Sequence, residues 1–368
     1  MNMKVCCVFN YNPLYRKPIY SAMDREFDCD FYFGDKVFPP IESFDAKDLK
    51  GFKGFLKAKK IGRLIWYSGI GKIFTRKYTH YIVTGDISII LIWLIIYFAK
   101  ITNRKVYLWT HGLTHRNQSP IEKCILNMFF AKSTGILMYN KHFCENMLNI
   151  GCKRENLHVF HNSLNTSMQS DIYSRLQLTN VYKEYFKNDL PTILYIGRIQ
   201  KHKRVDLLIE AMHLLQNKGI DLNLVIIGSN VDDDFLEIKI KEYDMCNRVW
   251  MYGPCFDEDK NAELIYNANV CVSPGNVGLT AIHVLSYGTP VITHNNFRKQ
   301  MPEFEAIIHN KTGAFFQEND VHDLADSIQR WVFISDEERM ECRRLAHETI
   351  VNEWSVDFQL KLLKDILK

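Results

Sequence analysis

The sequence, 368 residues long, lacks the features of several specialised protein classes. A formal net charge of +4 is too small to indicate a nucleic-acid-binding protein, and no proline-, serine- or glutamine-rich tract indicates a disordered arm. The uninterrupted apolar run at residues 87–99 is shorter than the about 20 residues that a bilayer-spanning helix needs. We therefore expect it to form a core helix that is buried on all sides. Residues 1–10 are typical of a first strand and not of a signal peptide.

The ten cysteines form no CxxC pair and no Cys/His spacing that suits zinc, and several lie inside apolar strands. Buried, reduced thiols in a cytoplasmic protein are the interpretation that fits this scatter. The three consecutive acids at residues 232–234 are interpreted as a solvated helix start, because neighbouring carboxylates on a regular element point in different directions. We expect neither a metal nor a cofactor.

Length and patterning predict an α/β protein of two domains. In the second half, strands predicted at residues 192–196, 222–227, 249–252, 270–273 and 291–293 alternate strictly with helices, which indicates a parallel sheet covered on both faces. A polar stretch at residues 166–188 is interpreted as the connection between the domains. The predicted boundaries are therefore residues 1–165 and 166–350, followed by a final helix at residues 351–368.

Residues 271–313 are predicted to form a strand, a glycine-containing loop at residues 274–278, a helix from residue 279 and a second strand. A helix start offers unpaired N–H groups and the positive end of the helix dipole, so an anion, most often a phosphate, is its natural ligand. The alternative is that the glycines serve only a tight turn. His111, which follows the strand predicted at residues 106–110, lies where a parallel sheet collects ligands, although a structural hydrogen-bonding role is also open.

Residues 50–77 are unusually basic, and no acid occurs between residues 51 and 77. Cations and aromatic side chains interleave there, as in an interfacial helix that meets anionic headgroups with its charges and the acyl boundary with its rings. The alternatives are the solvated face of an ordinary packed helix and, with less support, a nucleic-acid patch. The residues proposed to contact the membrane or the acceptor are Lys57, Lys59, Lys60, Arg63 and Trp66.

The runs ILYIGRIQKHKRVDLLIEA, LVIIGS, WMYGP and VCVSPGNVGLTAIHVLSYGTPVITH, followed by EAIIHNKTG, resemble the retaining family-4 glycosyltransferases of the GT-B fold. The resemblance implies two Rossmann-like domains with parallel sheets facing across a cleft. The first would bind the acceptor and the second the nucleotide-sugar donor, and the last helix would cross back to the first domain.

The resemblance also implies roles for individual residues. Arg198 and Lys203 match two cations that bind the donor diphosphate and stabilise the charge that develops on it, and His111 matches a histidine that faces the donor sugar. These three are the proposed catalytic residues. The implied donor-binding positions are Gly197, Gly228, Gly253, Phe256, Asn276, Gly278, Leu279, Thr280, His283 and Glu305.

The chain departs from that family at its two motif glutamates, whose positions hold Gly275 and His283. His283 can still hydrogen-bond the ribose, Asn276 can reach the sugar, and Glu303 or Glu305 can return to the site. Retaining transfer in which the acceptor attacks the face that the diphosphate leaves needs no enzymatic nucleophile. The substitution is therefore compatible with catalysis.

The function that the resemblance implies is transfer of a hexosyl group from a nucleoside-diphosphate sugar to a lipid-linked or polysaccharide acceptor, with retention, in cell-surface polysaccharide synthesis. We expect the protein to lie on the inner face of the cell membrane, to contact anionic lipid, and to bind no nucleic acid. Two alternatives stay open: a GT-B protein that binds nucleotide without catalysis, and a sugar-nucleotide epimerase.

Overall fold

A computed structural model describes residues 3–36, 42–75, 77–113, 118–232 and 235–368. The chain divides into two compact units, Met1–Leu164 with Val356–Lys368, and Asn165–Ser355. Each unit is built on a largely or wholly parallel sheet with helices, so the predicted α/β class and the two Rossmann-like domains are confirmed. Asp233 and Asp234, two of the three acids interpreted as a helix start, lie outside the described residues.

The first unit contains an eight-stranded sheet in the order β4-β3-β2-β1-β5-β6-β7-β8. Its neighbouring strands pair in parallel, except for β3 and β4, which are antiparallel. Alternate residues of β1 enter two different apolar clusters, which shows that both faces of this sheet are covered. The strands are β1 Val5–Phe9, β2 Cys29–Gly34, β3 Phe52–Ile61, β4 Leu64–Ser68, β5 His80–Thr84, β6 Lys105–Thr110, β7 Gly135–Met138 and β8 Leu157–Val159.

The second unit contains a six-stranded sheet in the order β11-β10-β9-β12-β13-β14, in which every pair is parallel. All the strand carboxyl ends therefore lie at one edge, where ligands bind in such sheets. The strands are β9 Thr192–Ile196, β10 Asn223–Ile227, β11 Val249–Gly253, β12 Val270–Ser273, β13 Val291–His294 and β14 Gly313–Phe316.

The helices connect successive strands and cover the sheets. The first unit holds α1 Lys17–Glu26, α2 Ile90–Ile101, α3 Pro120–Phe130 and α4 Cys144–Asn149. The second holds α5 Thr166–Tyr173, α6 Val181–Phe186, α7 Val205–Asn217, α8 Phe235–Glu242, α9 Glu258–Asn267, α10 Leu279–Ser286, α11 Val321–Val332 and α12 Asp336–Glu353.

The last helix, α13 (Val356–Ile366), belongs to the first unit, as predicted. Its Lys364 pairs with Glu26 of α1 at 2.6 Å, and the hydroxyl of Tyr107 donates to the carbonyl of Ile366 at 2.5 Å. The sequence predicted one helix over residues 351–368, whereas the structure ends α12 before the buried Trp354 and starts a new helix after it. Trp354 is the C-cap residue of α12 and is 1% exposed.

Helix α2 differs from its prediction in burial. Leu91, Ile95 and their neighbours pack against the sheet, but Leu94 is 41% exposed and Ile101 is 85% exposed. The expectation of a helix buried on all sides was wrong, because α2 has the sheet on one side only. The outer side of α2 is therefore an exposed apolar surface of the first unit.

Residues 50–77 do not form the interfacial helix that their composition suggested. They contain the antiparallel hairpin β3–β4, in which Ile61 pairs with Leu64 across a two-residue turn. Gly62 takes φ +60°, a left-handed conformation that glycine adopts without steric cost. Along residues 56–59 of β3, Leu56 and Ala58 face inward and Lys57 and Lys59 face outward, which is the two-residue period of a strand, and this pattern overrides the compositional signal. Lys57, Lys59, Lys60, Arg63 and Trp66 all lie on the hairpin and are exposed.

A buried carboxylate ties β2 to its surroundings in the first unit. Asp30 is 1% exposed and is contacted by Lys4 at 3.0 Å, Lys77 at 2.7 Å and the hydroxyl of Tyr78 at 2.7 Å. Burial opposes ionisation of Asp30, but the hydrogen bonds from Lys77, Tyr78 and Lys4 outweigh it and lower the carboxyl pKa to about 2.

We predict that Asp30→Asn lowers the free energy of unfolding at pH 7 by about 1–3 kcal/mol, because the buried site loses its ionised acceptor. A depressed carboxyl pKa contributes stability that is present above the unfolded value of about 4 and is lost as pH falls toward 2. Urea unfolding between pH 7 and pH 2 measures this difference. Asp28→Asn is the control, because Asp28 also pairs with Lys4 but is 65% exposed. Equal effects of the two substitutions would contradict the assignment.

Candidate active site

The carboxyl ends of β9 and β10 approach each other closely in the second unit. Gly197 and Gly228, which follow these strands, take φ +148° and +152°, values that L side chains rarely adopt. A Cβ atom on Gly228 would overlap the carbonyl oxygen of Gly197. Both predicted glycines are thus required by the backbone, and Arg198 starts directly from this tight edge.

Two cations lie together beyond β9. Arg198 is exposed, and Lys203 is half-buried in the 3-10 turn Lys201–Lys203. The ammonium group of Lys203 donates to the backbone oxygen and to Oδ1 of Asn276, both at 2.7 Å. Burial and the positive charge of Arg198 lower the pKa of Lys203 to about 8, against an opposing effect of Glu303. Such a pair is suited to hold an anion with more than one negative charge.

The start of α10 is adjacent to β9. Thr280 Oγ1 donates to the carbonyl of Ile196 at 3.1 Å, which ties the first turn of the helix to the end of the strand. No side chain caps this helix at Gly278. The first N–H groups, at Gly278, Leu279 and Thr280, are therefore available to an anion at this end of the helix.

A buried network that the sequence did not reveal holds the loop before α10. Gln300 accepts from the backbone N–H of Val277 at 2.7 Å and donates to Thr293 Oγ1 at 2.8 Å. Thr293 in turn donates to the carbonyls of Ser273 and Gly275, at 2.9 and 3.1 Å. Gln300 lies in a segment without periodic pattern, so no sequence signal distinguished it from a solvent-exposed glutamine.

Gly275, which we predict to replace the first motif glutamate, packs directly against the Lys203 turn. Its N–H donates to the carbonyl of Lys203 at 2.9 Å. A Cβ atom on Gly275 would lie 2.5 Å from the carbonyl oxygen of His202 and 2.7 Å from Cα of Lys203. A larger residue therefore requires this turn to move, and the glycine is part of how Lys203 is placed.

His283, which we predict to replace the second motif glutamate, contacts a carboxylate from another helix. Its Nε2 lies 2.9 Å from Oε1 of Glu258, which also accepts from Tyr287 at 2.7 Å and from Gln169 at 3.2 Å. Burial opposes ionisation of Glu258, but hydrogen bonds from these three residues lower its pKa to about 2. Glu258 belongs to none of the runs that carry the family resemblance, so it was not recognised as a site residue.

The remaining positions predicted for the donor differ in exposure. Gly253 takes φ +85° with open space beside it, and Phe256 is 88% exposed, so this segment is open to a planar ligand. The 3-10 helix Pro302–Ala306 carries two acids. Glu303 is buried and raises the pKa of Lys203, whereas Glu305 is half-buried. Of the two, Glu303 therefore contributes to the charge balance at Lys203.

His111 follows β6 in the first unit, and its ring packs on Tyr139 at 4.3 Å. Arg16 is buried beside it, donates to the hydroxyls of Tyr139 and Tyr20, and stacks over Trp109 at 4.8 Å. Desolvation and the charge of Arg16 lower the pKa of His111 to about 4. His111 is consequently neutral near pH 7. Arg16 gave no sequence signal, because it belongs to no motif.

Residues 179–349 match the family model described as "Glycosyl transferases group 1". These residues lie within the second unit. Among curated proteins, the chain is similar to soluble starch synthase 2-1 of Oryza sativa subsp. japonica (23% identity over 189 residues) and to a glycogen synthase of Mycobacterium tuberculosis (26% over 140 residues). These matches cover 49% and 37% of this chain but 24% and 33% of the relatives, so the chain spans well under half of their length.

Solved structures match both units together. A complex of Anabaena Alr3699/HepE with UDP superposes with a TM-score of 0.74 at 13% identity, and each chain is 99% covered. The lipopolysaccharide outer core galactosyltransferase WaaB superposes at 0.69 with 15% identity and 99% coverage of both chains. A glycosyltransferase of Rickettsia africae superposes at 0.71 with 15% identity and full coverage. The predicted GT-B fold is thus confirmed.

We predict that Gly275→Glu does not restore a working motif but displaces the Lys203 turn. Affinity for the nucleoside diphosphate that binds tightest among UDP, GDP and ADP is expected to fall about tenfold or more, since the two cations lose their spacing. Titration calorimetry measures this loss, and thermal unfolding checks the fold. Gly71→Ala is the control, because a Cβ there meets no atom within 4 Å. Tighter nucleotide binding by Gly275→Glu would refute the steric argument.

Proposed function

We propose that the protein is a retaining hexosyltransferase that uses a nucleoside-diphosphate sugar. The observation that carries this proposal is the corner formed by Arg198, Lys203 and the uncapped start of α10, in a domain that matches the group 1 glycosyltransferases. Two cations and several N–H groups at one strand edge suit a diphosphate.

The chemistry follows from where charge develops. As the bond between the anomeric carbon and the diphosphate oxygen breaks, negative charge grows on the leaving group, and fixed cations and N–H groups stabilise it. A hydroxyl of the acceptor forms the new bond on the face that the diphosphate leaves, and its proton passes to a phosphate oxygen. This route needs no carboxylate nucleophile, which agrees with glycine at position 275. We propose that it needs no metal ion.

For the donor, UDP-sugars are the first candidates, because the Anabaena neighbour was solved with UDP and with UDP-glucose. For the acceptor, we propose a lipid-linked or polysaccharide chain in cell-surface polysaccharide synthesis, by analogy with the starch and glycogen synthases and the lipopolysaccharide galactosyltransferase. Within the first unit, neutral His111 is the group that we propose to face the transferred sugar.

We predict that Arg198→Ala and Lys203→Ala each lower turnover of the donor sugar about 100-fold or more, by removing charge stabilisation in the transition state. Release of nucleoside diphosphate with a lipid-linked acceptor measures turnover. Lys218→Ala, a substitution of an exposed lysine paired with Asp326 in the same unit, is expected to leave it unchanged.

Full activity in both the Arg198 and Lys203 variants would defeat the proposal. The replaced motif residues also leave room for a protein that binds nucleotide without transfer. Tight nucleotide binding with no turnover on any acceptor would favour that second function. Product formed from the donor with no acceptor present would instead indicate an epimerase.

We also propose that the protein binds the inner face of the membrane peripherally, through the outer face of the β3–β4 hairpin. The pairing register places Lys59 opposite Trp66 and Lys57 opposite Ser68, so these side chains share one face. Apolar side chains on the same face are strongly exposed: Phe55 51%, Ile61 54%, Leu64 45% and Trp66 38%. Cations beside exposed aromatic and aliphatic groups suit an anionic lipid surface.

Helix α2 packs behind this surface, against the other face of the hairpin: Leu56 and Tyr67 share an apolar cluster with Ile95, and the N–H of Ile65 donates to Ser88 at 2.8 Å. Within the described parts of the chain, no helix has both the length and the hydrophobicity to cross a bilayer.

Replacing Lys57, Lys59, Lys60 and Arg63 with glutamine is expected to weaken binding to phosphatidylglycerol vesicles by about 100-fold. The estimate takes about 1 kcal/mol for each cation near the surface and leaves out Lys60, which pairs with Ile65 on the other face of the hairpin. Vesicle co-sedimentation at fixed ionic strength measures the effect. Lys132→Gln with Lys153→Gln, at exposed lysines elsewhere in the unit, is the control. Unchanged binding of the fourfold variant would remove the membrane proposal while leaving the transferase proposal intact.

A further inference from the structure

Glu258, the first residue of α9, holds its carboxylate in one orientation. All three of its side-chain hydrogen bonds converge on one oxygen, Oε1: His283 at 2.9 Å, Tyr287 at 2.7 Å and Gln169 at 3.2 Å. The other oxygen, Oε2, has no hydrogen-bond partner among the described residues, and the side chain is 24% exposed. One oxygen is therefore fixed by the protein and the other is open.

A purely structural carboxylate would be arranged differently. No lysine or arginine of the described chain forms an ion pair with Glu258, although a partly buried carboxylate is usually compensated by such a pair. Its negative charge is instead maintained by hydrogen-bond donors and by the N-terminal end of α9. An ionised carboxylate with an open oxygen is a strong acceptor for hydroxyl groups of a ligand.

The position of Glu258 indicates which hydroxyl groups these are. It follows the open segment at Gly253 and Phe256 by two residues, and it bonds His283, which lies three residues after Thr280 on the same face of α10. In a nucleotide, the ribose joins the base to the diphosphate. A nucleotide with its diphosphate at the start of α10 and its base at the open segment presents its ribose to this carboxylate.

We propose that Oε2 of Glu258 accepts hydrogen bonds from the 2′- and 3′-hydroxyls of the donor ribose, and that His283, Tyr287 and Gln169 position it. The proposal rests on the proposed function and adds a specificity-determining residue to it. The carboxylate that recognises the ribose is then supplied by α9 and not by α10. A metal ion is the weaker alternative ligand, since the described residues include no group of three or more His, Cys, Asp and Glu side chains that could hold one.

The test compares ribose recognition in the whole protein. Dissociation constants are measured by calorimetry for UDP, 2′-deoxy-UDP and 3′-deoxy-UDP, and for the matching GDP series, and the base that binds tighter is used. The unmodified protein is expected to bind each deoxy analogue about 10- to 100-fold more weakly than the ribonucleotide, the range for a hydrogen bond to a charged group. In Glu258→Ala and Glu258→Gln, affinity for the ribonucleotide falls by a similar factor and the discrimination disappears.

Two further variants distinguish recognition from a general structural effect. Glu263→Gln, on the same helix and paired with Lys260, is expected to leave the discrimination unchanged. The double variant Glu258→Gln with His283→Glu moves the carboxylate back to α10 and is expected to recover part of the discrimination. Should Glu258→Ala fail to fold, Tyr287→Phe keeps the carboxylate but removes one of its three donors, and a several-fold loss of discrimination is expected.

Full discrimination against both deoxy analogues in the folded Glu258 variants would overturn this proposal and leave the transferase proposal standing. Equal binding of ribonucleotide and deoxy analogues by the unmodified protein would also overturn it. Absence of binding to both UDP and GDP would overturn the two proposals together.

Discussion

The candidate active site depends on one backbone contact, the approach of Gly275 to the turn that carries Lys203. The hydrogen bond between them is 2.9 Å long, and no side chain fits between the two segments. Because of this contact, the ammonium group of Lys203 reaches Asn276 and lies close enough to Arg198 for the two charges to interact. Hydrogen bonds from Thr293 and Gln300 then fix the loop before α10. The start of α10, this loop and the two cations are therefore held together.

Gly275 and His283, where we predict that two motif glutamates are replaced, have different surroundings. Gly275 has no side chain, so the cationic turn comes close to it. His283 contacts Glu258 of the neighbouring helix. Negative charge is therefore kept at the end of the site next to the open segment, and positive charge is concentrated at the end that meets the diphosphate. The two cations and the carboxylate of Glu258 thus lie at opposite ends of the site, along the line that a bound nucleotide would follow.

The fold was predicted well in the segments where the local sequence pattern is strong. Strands β9 and β12 begin and end at the predicted residues, because each is an apolar run with proline, glycine or polar residues at its ends. The hairpin β3–β4 was missed because its composition was weighed above its two-residue alternation. The exposed face of α2 was missed because an apolar run alone does not tell how many neighbours will cover it.

The site was less predictable than the fold. Arg198, Lys203 and the start of α10 are found from glycine positions at strand ends, a signal that the backbone imposes on the sequence. Gln300, Arg16 and Glu258 act through contacts between segments that are distant along the chain, and nothing in their immediate sequence distinguishes them from surface residues. Only the folded arrangement shows that Glu258 directs one oxygen toward its neighbours and leaves the other open.

The division of the chain has a consequence for how the molecule is made. The first unit is completed by residues 356–368, which leave the ribosome only after the whole second unit. Leu363 and Leu367 belong to the apolar cluster that also contains α1, so this cluster stays partly open to water until that point. The amino-terminal unit therefore matures last, and its solubility during synthesis depends on protection of the surface that α13 later covers.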